Sequence, residues 1–146
     1  MLGSADFSIL HVEDDNIDAM ALERALKKIG MHDRLVHASN GEEALEILSG
    51  DRSSVQLGEA VIVVLDLNMP KMDGFELLER LRERRSLCGL VVFVMTTSDD
   101  RRDIDYAYRF NIAGYVVKSS SRALDEFSRL LSSYTNVTEL PVFSFS

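Results

Sequence analysis

A single cysteine, Cys88, stands among 146 residues. That scarcity excludes an internal disulfide framework and suits a reducing compartment. The lone thiol reads as a small structural residue rather than a redox group. No basic stretch stands out either. Lys and Arg number 16 against 24 Asp and Glu, a net charge of −8, so nucleic acid is not an expected partner. The densest basic segment, Arg82-Glu83-Arg84-Arg85, reads as a solvated helix end. The longest apolar runs, Ala60–Leu65 and Leu90–Met95, fall far short of the ~18 residues needed to span a bilayer. The N-terminus lacks a basic-then-apolar signal segment. Repeats, linkers and low-complexity tracts are missing as well. A cytoplasmic, single-domain protein with no membrane segment is expected.

What is present is a core and an alternation. Hydrophobic residues make up 46% of the chain, enough for a full interior. Phe7–Val12 reads as a strand that runs into Glu13-Asp14-Asp15. Asn16 to Ile29 is helical, with Leu22, Ala25, Leu26 and Ile29 inward and Gly30 as its stop. Arg34–Ala38 is a short strand. Gly41–Leu48 is a helix with Ala44, Leu45 and Leu48 inward, and a polar surface loop covers 51–59. Val61–Asp66 is a wholly apolar strand ending in an acid; Gly74–Arg84 follows as a helix with Phe75, Leu78 and Leu81 inside. Leu90–Met95 is a second apolar strand. Ser98 is the expected N-cap of the next helix, with Asp99 and Asp100 in its first turn. That helix runs to about Arg109 with an Ile104/Ala107/Tyr108 stripe, off which Tyr106 and Phe110 lie. Gly114–Val117 and a helix over Arg122–Tyr134 complete the series. The alternation predicts an α/β fold, a doubly wound five-stranded parallel sheet with helices on both faces. Residues 1–134 form the expected domain and 135–146 a tail.

The strands end in chemically useful residues: Glu13 and Asp14, Asp66, Thr96 and Lys118. In a parallel sheet those ends lie along one edge, where ligands of open α/β folds bind. Carboxylates packed together repel, by ~4 kcal/mol per pair at ~4 Å and an effective dielectric near 20. Such a cluster calls for a hard divalent cation, and Mg²⁺ shared with a phosphate is the common solution. Lys118 can hold a phosphoryl oxygen as a point charge, and the Thr96 hydroxyl another. Asp66 is left as the nucleophile, forming an acyl phosphate.

Taken jointly, Val12-Glu13-Asp14-Asp15, Leu65-Asp66-Leu67-Asn68-Met69-Pro70-Lys71-Met72-Asp73-Gly74, Thr96-Thr97-Ser98 and Tyr115-Val116-Val117-Lys118 resemble the receiver domain of bacterial two-component response regulators. The resemblance covers nearly the whole chain and implies a flavodoxin-like strand order 2-1-3-4-5. It implies that Asp66 is the phosphoacceptor, charged by a histidine kinase. Asp14 and Asp66 would then hold Mg²⁺ directly, Glu13 through water, and Asn68 through its backbone carbonyl. Thr96, rather than Thr97, would be the switch hydroxyl and Tyr115 the switch aromatic, while Asn68 and Ser98 would tune loss of the phosphoryl group. Within the family the chain resembles single-domain regulators paired with bacterial phytochromes, through Thr96-Thr97-Ser98-Asp99-Asp100, the 51–59 loop and Thr138-Glu139-Leu140-Pro141. One departure is the Lys118-Ser119 pair, where the family usually has Lys-Pro with a cis bond. A non-proline cis bond costs ~2.5–4 kcal/mol, so its geometry is open.

With little chain beyond the domain, output is expected through protein contacts or a phosphorelay. A homodimer is expected through strand five, the last helices and the tail, whose apolar residues include Val137, Leu140, Val142, Phe143 and Phe145. His11 and His37, inside strands, read as packed or edge histidines. The competing readings are a Mg²⁺-dependent aspartate-nucleophile phosphohydrolase and a docking scaffold that needs no phosphorylation. The hydrolase generally carries a second acid two residues after its nucleophile, where this chain has Asn68, and a cap domain for substrate. The expectation is therefore a signalling module and not an enzyme.

Overall fold

The computed structural model describes residues 6–52, 54–69 and 72–142. Pro70, Lys71, Phe143 and Phe145, named above, lie outside them. The elements are β1 (Phe7–Val12), α1 (Asn16–Lys28), a 3₁₀ turn (His32–Arg34), β2 (Leu35–Ala38), α2 (Gly41–Leu48), β3 (Ala60–Leu65), α3 (Gly74–Glu83), β4 (Val91–Thr96), α4 (Arg101–Tyr108), β5 (Gly114–Val117) and α5 (Ser121–Val137). All strands are parallel, in the order β2-β1-β3-β4-β5.

The sheet is doubly wound because alternate side chains of its central strands feed two cores. Leu10, Val12, Val61, Val63, Leu65, Val92 and Val94 pack with residues of α2, α3 and α4 on one face. Ile9, Ile62, Val64, Phe93 and Met95 pack with Leu22 and Leu26 of α1 and Phe127 and Leu131 of α5 on the other. Every residue of β3 is buried, and each such aliphatic side chain contributes ~1.5–3 kcal/mol relative to exposure.

β1, β2 and β3 finish in step, and β4 and β5 run two residues further. Val12 is in register with Leu65 and Ala38, Leu65 with Val94, and Thr96 with Val117. The ladder continues one residue further through Glu13 N–H to the Ala38 carbonyl, Asp66 N–H to the Val12 carbonyl and Lys118 N–H to the Thr96 carbonyl. The backbone thereby fixes Glu13 and Asp66 at one level of the sheet edge, with Lys118 two residues further out after β5.

Several local expectations are corrected. Asp100, not Ser98, caps α4, accepting from the Arg102 N–H at 2.9 Å. Ser98 instead donates its hydroxyl to Asp103 at 2.6 Å. Of the expected α4 stripe only Ala107 is buried, and Tyr108 is exposed. Tyr106 and Phe110 extend an edge-to-face row from Phe75, which is half-buried while Leu77 takes its expected inward place. In α2, Ile47 is buried and Leu45 only partly so; Ile29 is exposed where α1 has already ended. Helix α5 continues past Tyr134 to Val137, with buried Thr135 bonding back to the Leu131 carbonyl at 2.9 Å. Arg82 is no solvated charge. Its guanidinium donates to the carbonyls of Phe110 (2.6 Å), Cys88 (2.7 Å), Leu90 (2.9 Å) and Asn111 (3.2 Å). It ties α3 to the segments flanking β4 and β5, including Asn111 at φ 57°. No peptide bond among the described residues is cis, so Lys118–Ser119 is trans.

Candidate functional site

Three carboxylates gather where β1 and β3 end. One oxygen from each of Glu13, Asp14 and Asp66 lies within 4.8 Å of the others. Glu13 is buried, Asp66 is 7% exposed and Asp14 is exposed. Asp15 is otherwise occupied: as N-cap of α1 it accepts from Ile17 N–H (2.8 Å) and Asp18 N–H (3.1 Å). An all-oxygen set of this kind matches a hard divalent cation, and each unneutralised pair costs ~4 kcal/mol at close range.

Lys118 supplies the counter-charge from the end of β5. Its Nζ lies 2.9 Å from Glu13 Oε1, 3.2 Å from Asp18 Oδ2 and 3.9 Å from Asp66 Oδ2. Burial raises the Glu13 carboxyl to about 7; the Lys118 hydrogen bond opposes that rise and the Asp66 charge adds to it. Burial alone would lower the Lys118 ammonium, but Glu13, Asp66 and Asp18 outweigh it and hold it above its ordinary value. Lys118 reaches this position across a trans peptide bond.

Thr96 is fully buried at the end of β4, whereas Thr97 is exposed. The Thr96 Oγ1 receives the Asn68 side-chain amide at 3.5 Å, and the Asn68 backbone N–H approaches Asp66 Oδ1 at 3.3 Å. Tyr115, half-buried in β5, donates its hydroxyl to the Ser98 carbonyl at 2.9 Å. Burial, more than that bond, governs its phenol and raises it. Tyr115, Ser98 and Asp103 thus form a continuous link from β5 through the β4–α4 loop into α4.

The structure brings Glu13, Asp14, Asp66, Asn68, Thr96 and Lys118 together, with Tyr115 and Ser98 adjoining through the loop. Two participants were not foreseen. Asp18 sits one turn into α1, where its sequence signal is that of any first-turn acid. His37, on β2, bonds through Nε2 to the Glu13 carbonyl at 2.7 Å, anchoring the backbone of the acid pair. Its neighbour His11 is packed, as expected; burial first, then His37 and Lys118, lower its imidazole to about 3, so it is neutral.

The fold and this strand-end constellation define a signalling domain of the response regulator class, and comparison agrees. The response regulator receiver domain family matches residues 9–126. The chain belongs to that family, and its role is that of a phosphorylation-accepting signalling domain. It is 35% identical over 119 residues to the probable methanogenesis regulatory protein FilR2 of Methanothrix harundinacea, covering 79% of this chain and 74% of the relative. It is 30% identical over 111 residues to the response regulator Rcp1 of Synechocystis, covering 76% of each. Among solved structures, the phosphorylated cyanobacterial phytochrome response regulator RcpA aligns with TM-score 0.81 at 26% identity, over 94% of this chain and 99% of that one. The Mn²⁺-bound form of Rcp1 aligns with TM-score 0.80 at 26% identity, over 93% and 99%. Receiver domains interact with histidine kinases. No helix among the described residues is long and apolar enough to cross a membrane.

Proposed function

We propose that Asp66 accepts a phosphoryl group from a histidine kinase and that the resulting charge is signalled through protein contacts. One observation carries this reading: the Asp66 carboxylate stands within 3.9 Å of Lys118 and inside a trio of acids, beside a buried Thr96. An Asp66 oxygen attacks the phosphorus of a phosphohistidine. A P–O bond forms, the P–N bond breaks, and the imidazole leaves with the electron pair and takes a proton. Lys118 holds one phosphoryl oxygen and the Thr96 hydroxyl another. Glu13, Asp14, Asp66 and the backbone carbonyl of Asn68 would hold Mg²⁺, which when bound neutralises charge on the phosphoryl oxygens. Movement of Thr96 toward the new group is passed to α4 by the Tyr115–Ser98–Asp103 link. Asn68 and Ser98 flank the path of an attacking water and set the lifetime of the adduct.

The phosphohydrolase reading loses support at Asn68, which donates through its amide to Thr96 and offers no general acid. With acetyl phosphate and Mg²⁺, phosphate-affinity electrophoresis is expected to show one slowly lost adduct. Rapid multiple turnover of small phosphoesters would instead establish the hydrolase. Mg²⁺ at millimolar concentration is expected to raise the melting temperature, because it relieves repulsion among the acids. An unchanged melt in calorimetry would contradict the cation site.

The kinase partner we propose is a bacterial phytochrome, a reading supported by the phytochrome response regulator RcpA and the bacteriophytochrome response regulator AtBRR, which aligns with TM-score 0.69 at 27% identity. The homodimer we propose uses α5 and the tail. Leu130 and Val137 are exposed along the outer side of α5, in a shallow groove with Tyr134, while Leu140 packs onto the α1/α5 core. Light scattering is expected to report twice the monomer mass for the full chain and the monomer for a chain stopped after Thr138. Equal masses would refute the tail's part.

A further inference from the structure

Lys118 is shared among three carboxylates, and the one that accepts phosphate in the reading above is the farthest. Glu13 lies at 2.9 Å, Asp18 at 3.2 Å and Asp66 at 3.9 Å. An ammonium has three N–H groups. Two are committed to Glu13 and Asp18 at hydrogen-bond distance. Asp18 differs from the other two acids in origin and in company. It comes from the first turn of α1 rather than from a strand end, and it stands outside the Glu13/Asp14/Asp66 trio. A cation held by the trio would draw on Glu13 and Asp66 but leave Asp18 as the ammonium's own counter-charge. Asp18 is also placed with some firmness, since its N–H is bound by the Asp15 cap at 3.1 Å.

We propose that Asp18 is a positioning residue that holds the Lys118 ammonium off the phosphoryl site and thereby slows the charging of Asp66. The inference rests on Asp66 being the phosphoacceptor. To grip a phosphoryl oxygen on Asp66, Nζ must leave the 3.2 Å contact or share a donor with it, so part of its attraction for the incoming group is spent beforehand.

The test is the rate of charging by acetyl phosphate at saturating Mg²⁺, followed by intact mass. In that reaction an Asp66 oxygen forms a new P–O bond and acetate leaves with the electron pair of the old one. Because the Asp18 side chain is 45% exposed, the contact is of the modest kind. Asp18→Asn is therefore expected to raise the second-order rate constant about three- to fivefold. The rise is expected in the maximal rate more than in the half-saturating donor concentration, and Asp18→Glu should restore the slower rate. In a Lys118→Met background Asp18→Asn should have no effect. An unchanged or reduced rate in Asp18→Asn would overturn the proposal, as would the same rise without Lys118, which would mark a general charge effect. A wild-type chain that takes no phosphoryl group, or one labelled equally after Asp66→Asn, would instead overturn the reading beneath it.

Discussion

Gly74→Ala is expected to cost the domain about 3 kcal/mol of stability and to cripple phosphorylation together with it. The reason lies in what a Cβ at Gly74 would meet. It would lie 2.5 Å from the Asp66 carbonyl oxygen, 2.6 Å from the Leu67 Cα and 2.6 Å from Leu65 Cδ1. Two of these are backbone atoms, and they belong to the segment that carries the Asp66 carboxylate. Gly74 also begins α3 and donates its N–H to the Leu67 carbonyl at 2.9 Å, so the chain folds tightly back on the end of β3. A side chain there must push α3 away from β3 or displace Asp66. Overpacking of this kind costs ~1–3 kcal/mol, with rigid neighbours at the upper end. Urea unfolding would show it as a lower midpoint at constant slope. A loss below about 1 kcal/mol would mean that the Asp66–Leu67 backbone yields easily.

The second large effect is expected from Lys118→Met, and it depends on pH. Glu13 is 1% exposed and the Lys118 side chain 11% exposed, so their bond is shielded from solvent. Removing one partner of a buried pair leaves the other charge uncompensated, at ~3–5 kcal/mol. Glu13 already stands at about 7 in the fold against an ordinary 4.5. Between those values the folded protein holds a proton that the unfolded chain has released. Stability in cation-free buffer therefore falls as pH rises through that window, and levels off above about 7. Without Lys118 the opposing hydrogen bond is gone, the Glu13 carboxyl rises further, and the decline extends to higher pH. The stability gap between wild type and Lys118→Met should thus widen from about 1 kcal/mol near pH 6 to about 3 kcal/mol near pH 8. Urea titrations in EDTA at those pH values measure it directly. A gap that does not change with pH would show that Glu13 is not the group Lys118 compensates.

The sheet was legible because its grammar is simple. Ala60 to Leu65 is apolar without interruption, which only a doubly covered strand needs, and Asp66 then marks the edge of the core. Strand ends carrying Glu13, Thr96 and Lys118 were readable for the same reason, since a parallel sheet brings the ends of its strands to one edge. Helix ends were less legible. Ser98 and Asp100 are both competent N-caps, and only the three-dimensional bond from Ser98 to Asp103 decides between them. The end of α5 was misplaced because polar Ser132, Ser133 and Thr135 resemble a fraying terminus, whereas the Thr135 hydroxyl is satisfied within the helix. Arg82 looked like one more surface charge among Arg84 and Arg85. Its role as a clamp on four carbonyls is a property of the packed chain. Asp18 and His37 were invisible for a related reason: each acts through a partner distant in sequence, Asp18 through Lys118 and His37 through the backbone of Glu13.

The central claim is that Asp66 carries the phosphoryl group, and its geometry allows a direct chemical test. The chain is treated with acetyl phosphate and Mg²⁺, the acyl phosphate is reduced with borohydride, and the peptides are mapped by mass spectrometry. Reduction converts a phosphorylated aspartate to homoserine. Homoserine is expected at position 66 alone, and at no position in an Asp66→Asn chain that melts as a folded protein. Homoserine at Asp14 or another acid, or an adduct that survives Asp66→Asn, would contradict it.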